Sequence, residues 1–165
     1  MEFRKEDVAP STAKILALET IHSKYPKESW THIYTDGSFQ NIETGAGAGV
    51  TSDLFSFYKG LGRNTTNFDG EVEAIKIAVQ HLLFSANRFQ QAVIFSDSKA
   101  TIQAITNTNE SPSNQIREIR SIIQQLYHLK KKLAIQWDMT ACQSTSTELA
   151  VLTPQYAHYA HINHP

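Results

Sequence analysis

Residues 92–98 read AVIFSDS, and residues 33–38 read IYTDGS. Each is an apolar run ending on an aspartate, Asp97 or Asp36, followed by small residues. The first lacks polar alternation, which predicts a strand over Ala92–Ser96 buried on both faces, as in a helix-covered parallel sheet. The second predicts a strand over Thr31–Tyr34, stopped by Thr35-Asp36-Gly37-Ser38, a strong turn signal. Between them, GAGAGV at 45–50 and LFSFY at 54–58, with Leu61 near the end, predict two further strands and hence an antiparallel meander. Val72, Ile75, Val79 and Leu82 then recur at helical spacing over Asn67–Phe84, with Asn67 or Asp69 available as a cap. A strand reached through a helix after a meander should lie parallel to an earlier strand by a right-handed crossover.

Downstream, Lys99–Ile105 predicts a short helix and Asn107–Ser113, containing Pro112, a polar loop. Ile116, Ile119, Ile123 and Leu126 predict a longer helix ending near Lys131, and Leu133–Trp137 a fifth strand. Upstream, the weak apolar patch of Ile15, Leu16, Leu18 and Ile21 suits a short helix or arm rather than core. The segment after Trp137 has neither period nor turn logic and is expected to be poorly ordered. The organisation expected is an N-terminal arm or linker over 1–29, an α/β domain over 30–137 and a divergent tail over 138–165.

The 165 residues suit one domain, and the composition, 41% hydrophobic and 19% charged, is that of a globular protein. No run nears the roughly 18 apolar residues of a membrane span, and the N-terminus is not patterned as a secretory signal. With Cys142 alone, a reducing intracellular compartment is expected, and cysteine-based zinc clusters are excluded. The net charge of −1 does not by itself suggest a nucleic-acid partner. Lys130, Lys131 and Lys132 suit a solvated helix end. The absence of P-loop, nucleophile-elbow and HExxH patterns argues against three common hydrolytic chemistries.

In open α/β sheets ligands bind outside the carboxyl ends of strands, so as parallel neighbours the two strands would aim Asp36 and Asp97 into one crevice. Both aspartates are equally explained as turn formers. On the predicted helix, Glu73 meets Lys76 and Gln80 and is expected to be a solvated ion-pairing residue. Glu71 meets Ala74 and Ala78, small residues that let the helix approach the sheet and carry a carboxylate toward the strand ends. Three converging carboxylates need a compensating cation. Magnesium, with its preference for hard oxygen ligands, suits them and suits phosphodiester cleavage.

Taken together, IYTDGS, GAGAGV, TTNFDGEVEAIKIAV, VIFSDSKATIQAI and LAIQW, in this order, make a specific combination. The stretch from Trp30 to Trp137 resembles type 1 ribonuclease H, particularly the domain of arthropod non-LTR retrotransposon polyproteins. The resemblance implies a mixed five-stranded sheet of order 3-2-1-4-5 flanked by helices, and magnesium-dependent hydrolysis of RNA paired to DNA. It assigns Asp36, Glu71 and Asp97 to catalysis and metal binding, with Gly37, Ser38, Asn67 and Ser98 near the hybrid backbone. The family uses two magnesium ions and selects RNA through its 2′-hydroxyls. A monomer is expected.

The chain departs from the family after Trp137. Ala141 stands near the family's mobile histidine and Val151 where its fourth carboxylate would be, so the final helix is expected to be missing or altered. One ion is then favoured over two, with weakened activity. Asp138 is a lesser substitute because no helix aims it, and the tail histidines His158, His161 and His164 suit an unstructured polar segment. A catalytically silent nucleic-acid-binding module and a retroelement remnant remain the alternatives.

Overall fold

Strand β1 spans Thr31–Asn41 in the computed structural model, which describes residues 10–107 and 112–138. It runs straight through Thr35-Asp36-Gly37-Ser38, so the turn expected there is not made. Strand β2, Gly45–Ser52, pairs antiparallel along this stretch and sets Asp36 opposite Gly49, Gly37 opposite Ala48 and Ser38 opposite Gly47. A backbone already paired across a sheet has no use for a local turn. The reversal comes at 42–44, where the Asn41 side chain accepts from the N–H groups of Glu43 and Thr44 at 3.0 and 2.9 Å.

Strand β3, Ser56–Gly62, pairs antiparallel with β2 and begins at Ser56 rather than Leu54. The residues before it form a turn in which the Ser52 hydroxyl accepts from the N–H groups of Leu54 and Phe55 at 3.1 Å. Strand β4, Gln91–Ser96, lies parallel to β1, with His32 beside Val93 and Tyr34 beside Phe95. Strand β5, Lys132–Trp137, lies parallel to β4. The order β3-β2-β1-β4-β5 is the mixed five-stranded sheet that the resemblance implies.

Helix α2, Asn67–Phe84, supplies the crossover between the meander and β4. Its cap is Thr66, not Asn67 or Asp69. The Thr66 hydroxyl accepts from Asp69 N at 3.2 Å, and the Asp69 carboxylate accepts from Thr66 N at 2.7 Å. This reciprocal pair leaves Asn67 as the first helical residue. Val72, Ile75, Val79 and Leu82 are buried in one cluster with Ile33, Val50 and Ile94 of the sheet. Helices α3, Lys99–Thr106, and α4, Asn114–His128, add Ile102, Ile105, Ile116, Ile119 and Leu126 to it. Burial of each such side chain contributes about 1.5–3 kcal/mol relative to exposure.

The N-terminal segment contributes core after all. Helix α1, Pro10–Lys24, leads into a second cluster in which Ile21 and Tyr25 are buried with Val93, Phe95 and Ala134. The Tyr25 hydroxyl donates to Gln136 Oε1 at 3.3 Å, and its carbonyl lies 2.7 Å from the His32 ring. Two hydrogen bonds thus explain how a tyrosine sits here 2% exposed. The expectations for the tail, among them Ala141, Cys142, Val151 and the three histidines, fall outside the described residues.

Glu73 also departs from expectation. It is buried, not solvated, at 3% exposure. Lys59 of β3 meets its carboxylate at 2.7 Å, Lys76 at 3.1 Å, and Gln115 of α4 donates to it at 3.0 Å. Burial raises the carboxyl pKa, but the hydrogen bonds and charges of Lys59 and Lys76 outweigh it and hold Glu73 below its ordinary value. Glu73→Ala should therefore destabilise the fold by about 2–3 kcal/mol at pH 7, somewhat less than a fully buried pair because Lys59 is half exposed. A carboxyl depressed in the folded state contributes stability above its ordinary 4.5, lost as pH falls through the folded value. The difference in urea midpoint between the two proteins should accordingly narrow in acid; equal midpoints at pH 7 would refute the assignment.

Candidate active site

The parallel pairing of β1 with β4 ends at Tyr34 and Phe95, and the two aspartates lie just beyond it. Asp36 stays within β1, paired only on its β2 side, whereas Asp97 follows the last residue of β4. Thr35 locks the two strands where they part, its hydroxyl donating to Phe95 O at 3.0 Å. The third carboxylate comes from the first turns of α2. Gly37 N donates to Glu71 Oε1 at 2.9 Å, so the backbone of β1 aims the helix carboxylate. Asp36, Glu71 and Asp97 each offer an oxygen, and these oxygens lie within 4.8 Å of one another.

The electrostatics follow from this crowding. Burial first, and then the Asp97 charge, push the Glu71 carboxyl up to about 7, with the Gly37 N–H pulling the other way. Burial and Asp97 raise Asp36 as well. Glu71 Oε2 and Asp97 Oδ1 are buried and accept no hydrogen bond. Two orphaned carboxylate oxygens beside a third carboxylate match the hard, anionic donor set that a divalent cation requires. The residues present therefore fit a metal ion.

Asp97 is held by contacts not foreseen from the sequence. Trp137, at the end of β5, donates its indole N–H to Asp97 O at 3.0 Å, and Lys99 Nζ stands 5.5 Å from the Trp137 ring. Asp138 N donates to Ser96 O at 2.9 Å, and Ser98 N to the Ser96 hydroxyl at 3.2 Å. Ser98 in turn caps α3, accepting from Thr101 N. Trp137→Phe keeps the ring but strands the Asp97 carbonyl, a cost of about 1–3 kcal/mol. The expected result is several-fold weaker divalent-ion binding, read by titration calorimetry; unchanged affinity would show that the indole hydrogen bond does not position Asp97.

The other sequence-derived site residues have separate surroundings. Gly37 lies against Glu71, Ser38 is exposed on β1, Asn67 is exposed on the first turn of α2, and Ser98 sits beside Asp97. Asp138 does not join the carboxylates. It is buried, and its charge acts on Tyr34, whose pKa burial, Asp138 and Asp53 together raise. The Thr66-x-x-Asp69 spacing could have pointed to the capping box in place of the caps expected at Asn67 or Asp69, whereas nothing in the pattern marked the Trp137 contact.

Comparison with known proteins gives the family and the fold. The family model for RNase H matches residues 28–148. The chain belongs to the RNase H family. Among solved structures it is similar to RNase H1 from the halophilic archaeon Halobacterium salinarum NRC-1, with 19% sequence identity and a TM-score of 0.50. That match covers 67% of this chain and 86% of the archaeal one, and at such identity it shows the fold alone. No curated protein matches the sequence. Family and fold together place the chain among ribonuclease H-type nucleases. Among the described residues, no helix is long and apolar enough to cross a membrane.

Proposed function

We propose that this RNase H domain hydrolyses the RNA strand of an RNA–DNA hybrid with magnesium held by Asp36, Glu71 and Asp97. The observation that carries the reading is the meeting of these carboxylates with two orphaned, buried oxygens among them. Bound there, magnesium supplies a water lowered in pKa and stabilisation of the leaving 3′ oxygen. The chain's own part is to hold and orient. Gly37 N fixes one oxygen of Glu71 and leaves the other turned to the cluster, while Trp137 and the capped turn at Ser98 fix Asp97. Asp36 stands on a strand paired to β2, a more rigid mount than a loop.

No side chain need act as nucleophile. Gly37, Ser38, Asn67 and Ser98 are proposed to face the hybrid backbone. Ser38 and Asn67 are exposed, and Ser98 is partly so. Selection by 2′-hydroxyl and duplex shape suits such small polar groups better than base reading does. Asp138 is not among the clustered carboxylates, and the three that are suit one tightly held ion rather than two, which supports a weakened activity.

The test is cleavage of a hybrid labelled on its RNA strand, with magnesium or with chelator, alongside single-stranded RNA and duplex DNA. Magnesium-dependent cleavage of the hybrid alone is expected, lost in Asp36→Asn. Cleavage that survives in Asp36→Asn would remove the carboxylates from the mechanism. Binding without cleavage at any magnesium concentration would favour the silent binding module.

A further inference from the structure

We propose that the pole of the sheet opposite the carboxylates is a second nucleic-acid site, one that grips the phosphodiester backbone outside the cleft. The choice of polyanion rests on the function proposed above; the site itself does not use the carboxylates. Three connections meet at this pole, those entering β1, β4 and β5, and hydrogen bonds tie them together. Gln91 Nε2 donates to Ser29 O at 3.2 Å, Lys132 N to Gln90 O at 3.0 Å, and Lys131 Nζ to Phe89 O at 2.8 Å. Between the first two connections lies an open concavity of about 560 Å³, lined by Lys27, Arg88, Asn87 and Gln90 among others.

The charge here is one-sided. Lys27, Arg88, Lys130, Lys131 and Lys132 are opposed in these connections by one carboxylate, Glu28. Lys131 is engaged with the Phe89 carbonyl, but Lys27, Arg88, Lys130 and Lys132 are exposed, and none forms an ion pair with a described carboxylate. The negative end of α4 accounts for a cation just past its last turn. Lys27 and Arg88 follow the ends of α1 at Lys24 and α2 at Phe84 by about a full turn, where such a field has fallen off, and they line the concavity.

Lys130 adds a second sign. Its φ of 61° is left-handed, a conformation that costs a residue bearing a side chain about 1–2 kcal/mol and that glycine adopts freely. The fold thus presents an ammonium where a smaller residue would relieve strain. Exposed lysine and arginine interleaved with amide side chains is the chemistry of phosphate contact, which positions a nucleic acid without reading its sequence. In a chain of net charge −1, this excess is local. The length of β4 separates the pole from the carboxylates by about 20 Å. A strand gripped here is therefore a different segment from the one in the cleft.

The test uses the full chain in chelator, where no cleavage occurs, and fluorescence anisotropy of a labelled hybrid long enough to reach past the cleft. Substituting Lys27→Glu, Arg88→Glu, Lys130→Glu and Lys132→Glu together should weaken binding at least 10-fold near 0.1 M salt. The slope of log affinity against log salt should fall by about 2–4, at roughly 0.9 for each phosphate no longer neutralised. The matching glutamine variants should show the same trend at smaller size, which covers failure of the reversed protein to fold. Hydrolysis of a short hybrid confined to the cleft should be unchanged in both. Asp36→Asn should keep the distal binding, so loss of the hydrolase reading and loss of this one are separate results. An unchanged salt slope would overturn the proposal, as would polyglutamate of equal charge competing as well as nucleic acid.

Discussion

Metal-free Glu71→Gln protein should be more stable than the unaltered chain at pH 8, and it should have lost hydrolysis of the hybrid. Glu71 is buried, and its carboxyl titrates at about 7 in the folded state against an ordinary 4.5. The folded state therefore binds more protons than the unfolded one between those values, so stability falls as pH rises from about 4.5 to about 7. At about 1.4 kcal/mol per pKa unit, the penalty at pH 8 is on the order of 3 kcal/mol. Glutamine carries no such penalty. Its Oε1 can keep the Gly37 N–H, and its amide can donate to Asp97, whose Oδ1 lacks a partner.

Thermal melts in chelator at pH 5 and pH 8 check this, the gain expected at pH 8 and shrinking toward pH 5. Magnesium should reverse the ranking by stabilising the unaltered chain, more at pH 8 than at pH 5. The hydrolytic loss should exceed the 10–100-fold typical of groups that only support a metal ligand. A Glu71→Gln protein less stable at pH 8 would show that the carboxylates are not in conflict.

Gly70→Ala should force α2 off the sheet and lower stability and hydrolysis together. A Cβ at Gly70 would lie 2.7 Å from Gly47 O and 3.4 Å from both Ala46 Cβ and Gly37 Cα. Alanine is better than glycine in a helix by about 1 kcal/mol. The clash is with β2 backbone, which cannot swing aside as a side chain can, so α2 must lift from the sheet at a net cost of about 2 kcal/mol or more. Lifting α2 also draws Glu71, the next residue, away from Gly37 N. Stability and hydrolysis should therefore fall together, measured by urea unfolding and by hybrid cleavage. Gly60→Ala is the control, since nothing lies within 4 Å of its Cβ. A Gly70→Ala protein as stable and active as the control would mean that α2 does not need its close approach.

The carboxylate cluster was legible because each member sits in a strong local pattern. Asp97 ends an unbroken apolar strand, and Glu71 lies beside the small face of a periodic helix. The pattern failed where neighbours in space outvote neighbours in sequence. Thr35-Asp36-Gly37-Ser38 has turn chemistry, yet β2 supplies every residue of it with a partner. Glu73 has the i+3 lysine of a solvated pair, yet Lys59 and Gln115, distant in sequence, close over it. The contacts of Tyr25 with Gln136 and of Trp137 with Asp97 carry no periodic signal, because they join residues far apart in sequence.

By itself the sequence determined the strands and helices, the parallel placement that the crossover rule imposes, and which acidic residues were candidates, since periodicity and turn chemistry are local properties of the chain. The tertiary structure alone decided the distances between those acids, the burial that raises Glu71, the hydrogen bond that pins Asp97 and the exclusion of Asp138 from the cluster. Desolvation and charge repulsion depend on what the fold brings together across the sheet, and no local pattern encodes that.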